Sequence, residues 1–146
     1  MTPTHIIIHC SATADSGTVS WPAIRRYHVD DRGWSDIGYH GGIELINNQF
    51  EFLLGRPFNR RGAHCAAGGM NRRSLGICFV GDFENQAPAP ESLVLGAKHV
   101  AGLCAIFNIP PENVIGHRRF DVRKTCPGSA FDMEEFRVLV GQSVGK

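Results

Sequence analysis

The segment His5-Ile6-Ile7-Ile8-His9-Cys10 constrains the fold more than any other. A short apolar run bracketed by two histidines reads as a buried strand. On a period of two, His5, Ile7 and His9 share one face. Ser74 to Val80 (SLGICFV) reads as a second buried strand, and Val114 to Gly116 as a short third. Tyr39 to Ile46 and Gln49 to Leu54 read as two strands joined at Asn47-Asn48, a hairpin signal. Helical patterns lie between these strands. Ser20 stands where a cap belongs, with Pro22 in the first turn, Ile24, Tyr27 and His28 as the apolar stripe, and Gly33 as the stop. Glu91 to Phe107 places Leu93, Ala97, Val100, Ala101, Cys104 and Phe107 at helical spacing. Asp132 with Glu135 forms a capping-box pattern for a last helix through Val140. Strands and helices interleave, so the expected class is α/β, a mixed central sheet flanked by helices.

A chain of 146 residues fits one domain and not two. Apolar residues make up 42% and charged residues 20%, which excludes wholesale disorder and collagen-like or coiled-coil chains. No aliphatic run exceeds three residues, as in Ile6-Ile7-Ile8, so no membrane insertion is expected. The first residues carry no basic stretch followed by an apolar one, so synthesis in the cytoplasm without a signal peptide is expected. The net charge is +1, so bulk electrostatics names no partner. Eight of the twelve Arg fall in pairs, but a nucleic-acid binder adds a basic excess that this chain lacks, and no nucleic acid is expected. A monomer is expected. The five Cys are odd in number, irregularly spaced and without a CxxC, which argues against a disulfide framework. Cys10 follows His9 on the strand and is expected to face away from it.

Two long loops remain. Gly55 to Arg73 holds four Gly and five Arg with little periodicity, and long loops in compact domains are often functional. Arg suits carboxylates by its two-pronged fit. The second loop, Arg118 to Gly128, follows the strand Val114–Gly116 and His117. His9 ends one strand, His117 follows another, and Cys126 lies nine residues on, in a loop able to fold back. Hydrolytic zinc needs three protein ligands and an open position for water. By spacing alone, the signal is weak, and a histidine so placed is more often a hydrogen-bonded structural residue than a ligand. Lys124 adds to the case. If residues 124–126 are extended, Lys124 and Cys126 point to one side, a cation beside a thiolate. Pro127 favours that conformation for Cys126, and the pair suits an oxyanion formed at a metal.

Five segments, HIIIHCSAT (5–13), GWSDIGYH (33–40), GAH (62–64), NRRSLGICFVGDF (71–83) and GHRRFDVRKTCPG (116–128), resemble the zinc N-acetylmuramoyl-L-alanine amidases. That group includes the phage amidase-type lysozymes and the peptidoglycan recognition proteins. The segments stand in the family's order. The resemblance implies the family's mixed sheet flanked by helices, over one zinc amidase domain, 1–146, without a separate wall-binding domain. It implies one Zn2+ held by His9, His117 and Cys126, with Asp in many relatives at the third position. It implies Tyr39 and Lys124 as active-site residues and His64 as a substrate-binding residue lining the cleft. The implied substrate is peptidoglycan or a muropeptide, cut between N-acetylmuramic acid and L-alanine, as by an endolysin acting on the wall after release. Other readings are a cytosolic muropeptide-recycling amidase and an amidase-fold protein that also regulates a partner such as an RNA polymerase. Recycling amidases carry Glu where this chain has Cys78, which favours the phage-lysozyme branch. Gly41-Gly42, where the family has larger residues, suggests a bulge beside Tyr39.

Overall fold

The structure, a computed structural model, describes residues 1–15 and 19–146. Five strands form one mixed sheet: β1 (His5–Cys10), β2 (Gly41–Ile46), β3 (Gln49–Leu54), β4 (Ser74–Phe79) and β5 (Val114–Gly116), in the order β3-β2-β4-β1-β5. β1 lies between β4 and β5, parallel to both. β2 runs parallel to β4 and antiparallel to β3. Among the described residues, three α-helices pack with the sheet: α1 (Trp21–Arg26), α2 (Pro90–Phe107) and α3 (Met133–Ser143). The expected class and the expected strands are therefore present, with β2 beginning two residues later than the sequence pattern suggests.

Strand alternation divides the core. Ile6 and Ile8 of β1 and Leu75, Ile77 and Phe79 of β4 turn to the face covered by α2 and α3. Each such side chain contributes about 1.5–3 kcal/mol by leaving water. Ile7 turns to the opposite face, against Cys65 and Met70 of the loop before β4. Trp21 of α1 closes the rest of that face with Ile37 and Cys78. The central parallel strands β1 and β4 are thus buried on both sides, as apolar parallel strands require.

Local departures have local causes. Ser20 makes no side-chain cap bond; instead Glu44 of β2 accepts the Trp21 N–H on Oε2 at 3.0 Å. Beyond α1 the chain widens into a π-turn, Tyr27–Asp31, before Gly33 turns it at φ 69°. Asp132 caps α3 as expected, accepting from the N–H groups of Glu134 at 2.9 Å and Glu135 at 3.0 Å. Gly41-Gly42 makes no bulge: both residues pair in unbroken register with β3 and β4. The reason for glycine there is space, because a Cβ on Gly42 would stand 2.3 Å from the Trp21 ring. No helix among the described residues is long and apolar enough to cross a membrane.

Candidate metal centre

The parallel pairing of β1 with β5 builds the site. Ile8 pairs with Gly116, so His9 at the end of β1 and His117 just past β5 emerge side by side. Their ring centroids are 4.6 Å apart. The loop after β5 turns through a 3-10 segment, His117–Arg119, and returns, with Arg118 N–H donating to the Cys126 carbonyl at 2.8 Å. The Arg118 guanidinium holds the return in place through the carbonyls of Thr125, Gly128 and Phe131. Cys126 is thereby carried back to β1. Its Sγ lies 3.7 Å from His9 Nδ1 and accepts the Cys10 N–H at 3.4 Å.

One ligand atom each from His9, His117 and Cys126 falls within 4.8 Å of the others, the one such group among the described residues. Two donors about 2.0 and 2.3 Å from one tetrahedral ion stand about 3.5 Å apart. The separation of 3.7 Å between His9 Nδ1 and Cys126 Sγ matches that spacing. A two-His, one-Cys set also suits the donor preference of zinc and leaves a fourth position open. The protonation states agree. Burial, and then His64, His117 and Lys124, push His9 well below the usual histidine range. Burial and then Lys124 push His117 the same way. Both rings are therefore neutral, as metal ligands must be. The hydrogen bond to the Cys10 thiol, and then burial, hold the Cys126 thiol up, so a metal would displace its proton. All five cysteines are free thiols.

The group lies in an open cleft of about 860 Å³. Tyr39, Lys124, His28, Trp34 and Arg61 also line it. Tyr39 is partly buried, with its ring 5.2 Å from His9. Burial, and then the Cys78, Cys126 and Cys10 thiols, raise its phenol well above the usual range, so it keeps its proton. Lys124 is exposed, and its charge is felt by both His9 and His117. Asp121 also lines the cleft, but Arg123 grips both of its oxygens, at 2.9 and 3.0 Å. That bond holds the carboxyl down to about 2, which makes it a poor base at neutral pH.

His64 borders the cleft but is only 9% exposed. Its Nδ1 meets His9 Nε2 at 2.9 Å. Sequence reasoning missed His28, which faces the cleft. It is buried beside Tyr39 and accepts the Gly38 N–H on Nδ1 at 3.0 Å. Its place in an apolar helical stripe gave no signal of that position. Of the Arg-rich loop, Arg61 lines the cleft, whereas Arg56 turns inward to the carbonyls of Ile37, Asp36 and Arg61.

Comparison with known proteins agrees with this geometry. The family model described as N-acetylmuramoyl-L-alanine amidase matches residues 1–129. The chain is 34% identical to peptidoglycan-recognition protein LB of Drosophila melanogaster over 134 residues, 85% of this chain and 54% of that protein. It is 37% identical to the endolysin of Escherichia phage T7 over 81 residues, 56% of this chain and 50% of that protein. The chain thus spans about half the length of these curated relatives. Among solved structures, the N-acetylmuramoyl-L-alanine amidase LysC from Clostridium intestinale URNW superposes with a TM-score of 0.81 at 28% identity, covering 97% of this chain and 87% of that one. Matched across most of its length, with His9, His117 and Cys126 gathered in one cleft, the chain belongs to the N-acetylmuramoyl-L-alanine amidase family.

Proposed function

We propose that this chain is a zinc-dependent peptidoglycan amidase that cuts the amide between the lactyl group of N-acetylmuramic acid and L-alanine. The observation that carries the reading is the group His9, His117 and Cys126 in an open cleft, with Tyr39 and Lys124 beside it. His9, His117 and Cys126 hold the ion. Bound there, zinc supplies Lewis acidity toward the scissile carbonyl and lowers the pKa of water from 15.7 toward about 7.

The remaining work belongs to the chain's own side chains. Lys124 offers a fixed cation to the oxygen on which charge develops. Tyr39 keeps its phenolic proton and orients water at its hydroxyl or hands a proton toward the leaving nitrogen. Arg61 is exposed at the cleft and free to meet stem-peptide carboxylates. Asp121, tied to Arg123, is not the base. The similarity to a phage endolysin supports a role in wall lysis after release from the cell. We assign polymeric wall as a better substrate than small anhydro-muropeptides, because Cys78 stands where recycling amidases carry Glu. The enzyme acts as a monomer.

Digestion of purified peptidoglycan tests this. New L-alanine amino termini without new reducing sugar ends are expected. Chelator abolishes the activity and added zinc restores it. Reducing ends in place of amino termini overturn the reading.

A further inference from the structure

The buried polar contact between His9 and His64 has a direction that follows from what surrounds it. His9 Nδ1 faces Cys126 Sγ at 3.7 Å, and His9 Nε2 faces His64 Nδ1 at 2.9 Å. Only one of these four nitrogens, His64 Nε2, is a buried polar atom without a hydrogen-bond partner among the described residues. The His64 ring cannot turn to relieve it. Asn71 Oδ1 accepts the backbone N–H groups of His64 and Cys65 at 2.7 and 2.8 Å. The ring lies flat against β4 at Gly76, where a Cβ would come within 2.5 Å of His64 Cγ. His40 walls it on another side, its ring centroid 5.7 Å away. His40 is itself pinned, Nδ1 accepting from Gly76 N–H at 3.0 Å and Nε2 donating to the Arg60 carbonyl at 2.8 Å.

We infer that His64 is a positioning residue for the metal centre: its Nδ1 accepts the Nε2–H of His9 and so commits His9 to bind metal through Nδ1. This rests on the zinc reading above. Neutral imidazole carries one proton. If that proton sat on His9 Nδ1 it would point at Cys126 and block coordination. Placed on Nε2, it needs an acceptor, and His64 Nδ1 is at hydrogen-bond distance. His64 then carries its own proton on Nε2. The order is therefore His64 Nε2–H, His64 Nδ1, His9 Nε2–H, His9 Nδ1. A side chain of the loop before β4 thereby selects the tautomer of a ligand at the end of β1. Metal-bound histidines generally need such a partner on the second nitrogen, which orients the ring and raises its basicity. His64 acts through His9 and does not act by holding substrate.

The test uses the full chain and zinc itself. Two-bond 1H–15N correlation spectra of the zinc-loaded protein should show His9 protonated at Nε2 and coordinated at Nδ1. In His64→Phe, which keeps the ring and removes the acceptor, chelator competition should give a zinc affinity about 10–100-fold weaker. The absorption bands of the cobalt-substituted variant should shift. His64→Asn, whose Oδ1 restores an acceptor near Nδ1, should recover most of that loss. Coordination of wild-type His9 through Nε2 overturns the inference even if the variants fail to fold. So does a folded His64→Phe with wild-type zinc affinity, unshifted cobalt bands and a raised KM alone, which would make His64 a substrate contact. A wild-type chain that binds no zinc removes the metal reading, and this inference with it.

Discussion

Cys10 donates its backbone N–H to Cys126 Sγ at 3.4 Å, although the two residues lie 116 positions apart. The contact places a cysteine from the second long loop at the end of the central strand. Alternation turns the Cys10 side chain away from His9, yet its thiol also hydrogen-bonds to Cys126. Cys126 therefore stands at the strand end where it meets neighbours from both faces, His9 Nδ1 and Cys10.

The first prediction concerns that position. Elemental analysis of the purified chain should find about one zinc per molecule. Cys126→Ser should bind zinc more weakly and lose most activity, because a hydroxyl is a far poorer donor than a thiolate. Full zinc content together with full turnover in that variant would show that Cys126 is not a ligand.

Tyr39 and Lys124 should behave differently from the ligands. Tyr39→Phe and Lys124→Ala should retain zinc and a native circular dichroism spectrum. Turnover should fall by on the order of a hundredfold or more, as for loss of a donor to the transition state. Unchanged turnover in both variants would remove them from the chemistry.

Acid should destabilise the metal-free chain through its buried histidines. His28 and His40 accept backbone N–H groups on Nδ1, and burial is the largest cause lowering both. Burial likewise brings His64 down to about 3. Each folded value lies below the unfolded value of about 6.5, so the unfolded chain binds protons first as pH falls. The stabilisation is complete above about pH 6.5 and is lost as pH drops through the folded values. Urea midpoints measured without metal should fall between about pH 7.5 and pH 5. A flat profile across that range would contradict neutral, buried rings.

Asp132→Ala should cost about 1 kcal/mol of stability by removing the cap on α3. Zinc content and KM should not change, because α3 packs on the face of the sheet opposite His64 and Trp21. Thermal denaturation with metal analysis on the same sample separates the two effects. A loss of zinc in this variant would mean that α3 couples to the site.

Gly42→Val addresses the space beside Trp21. A side chain there meets the indole ring, so overpacking of about 1–3 kcal/mol is expected. Urea denaturation measures it. A neutral effect would mean that Trp21 can move aside.

The sequence alone determined the periodic parts of this protein. Alternation in His5–Cys10 and Ser74–Phe79, and helical spacing in Pro90–Phe107, encode which side chains leave water, and that pattern is local. Asp132 was legible as a cap for the same reason, since its partners are two and three residues away. His9, His117 and Cys126 were legible as residue types at strand ends and in a loop, and resemblance to a family supplied their roles. Tertiary structure decided what depends on partners far along the chain. Glu44 rather than Ser20 takes the first N–H of α1, because β2 brings a carboxylate to it. Gly41-Gly42 is a close-packed pair and not a bulge, because Trp21 and Phe52 arrive from elsewhere. Arg56 turns to backbone carbonyls while Arg61 reaches the cleft, a difference no local pattern encodes. His64 carries the same lesson. Its chemistry depends on which nitrogen meets His9, a relation across 55 residues that exists only once β1 and the loop before β4 are packed together.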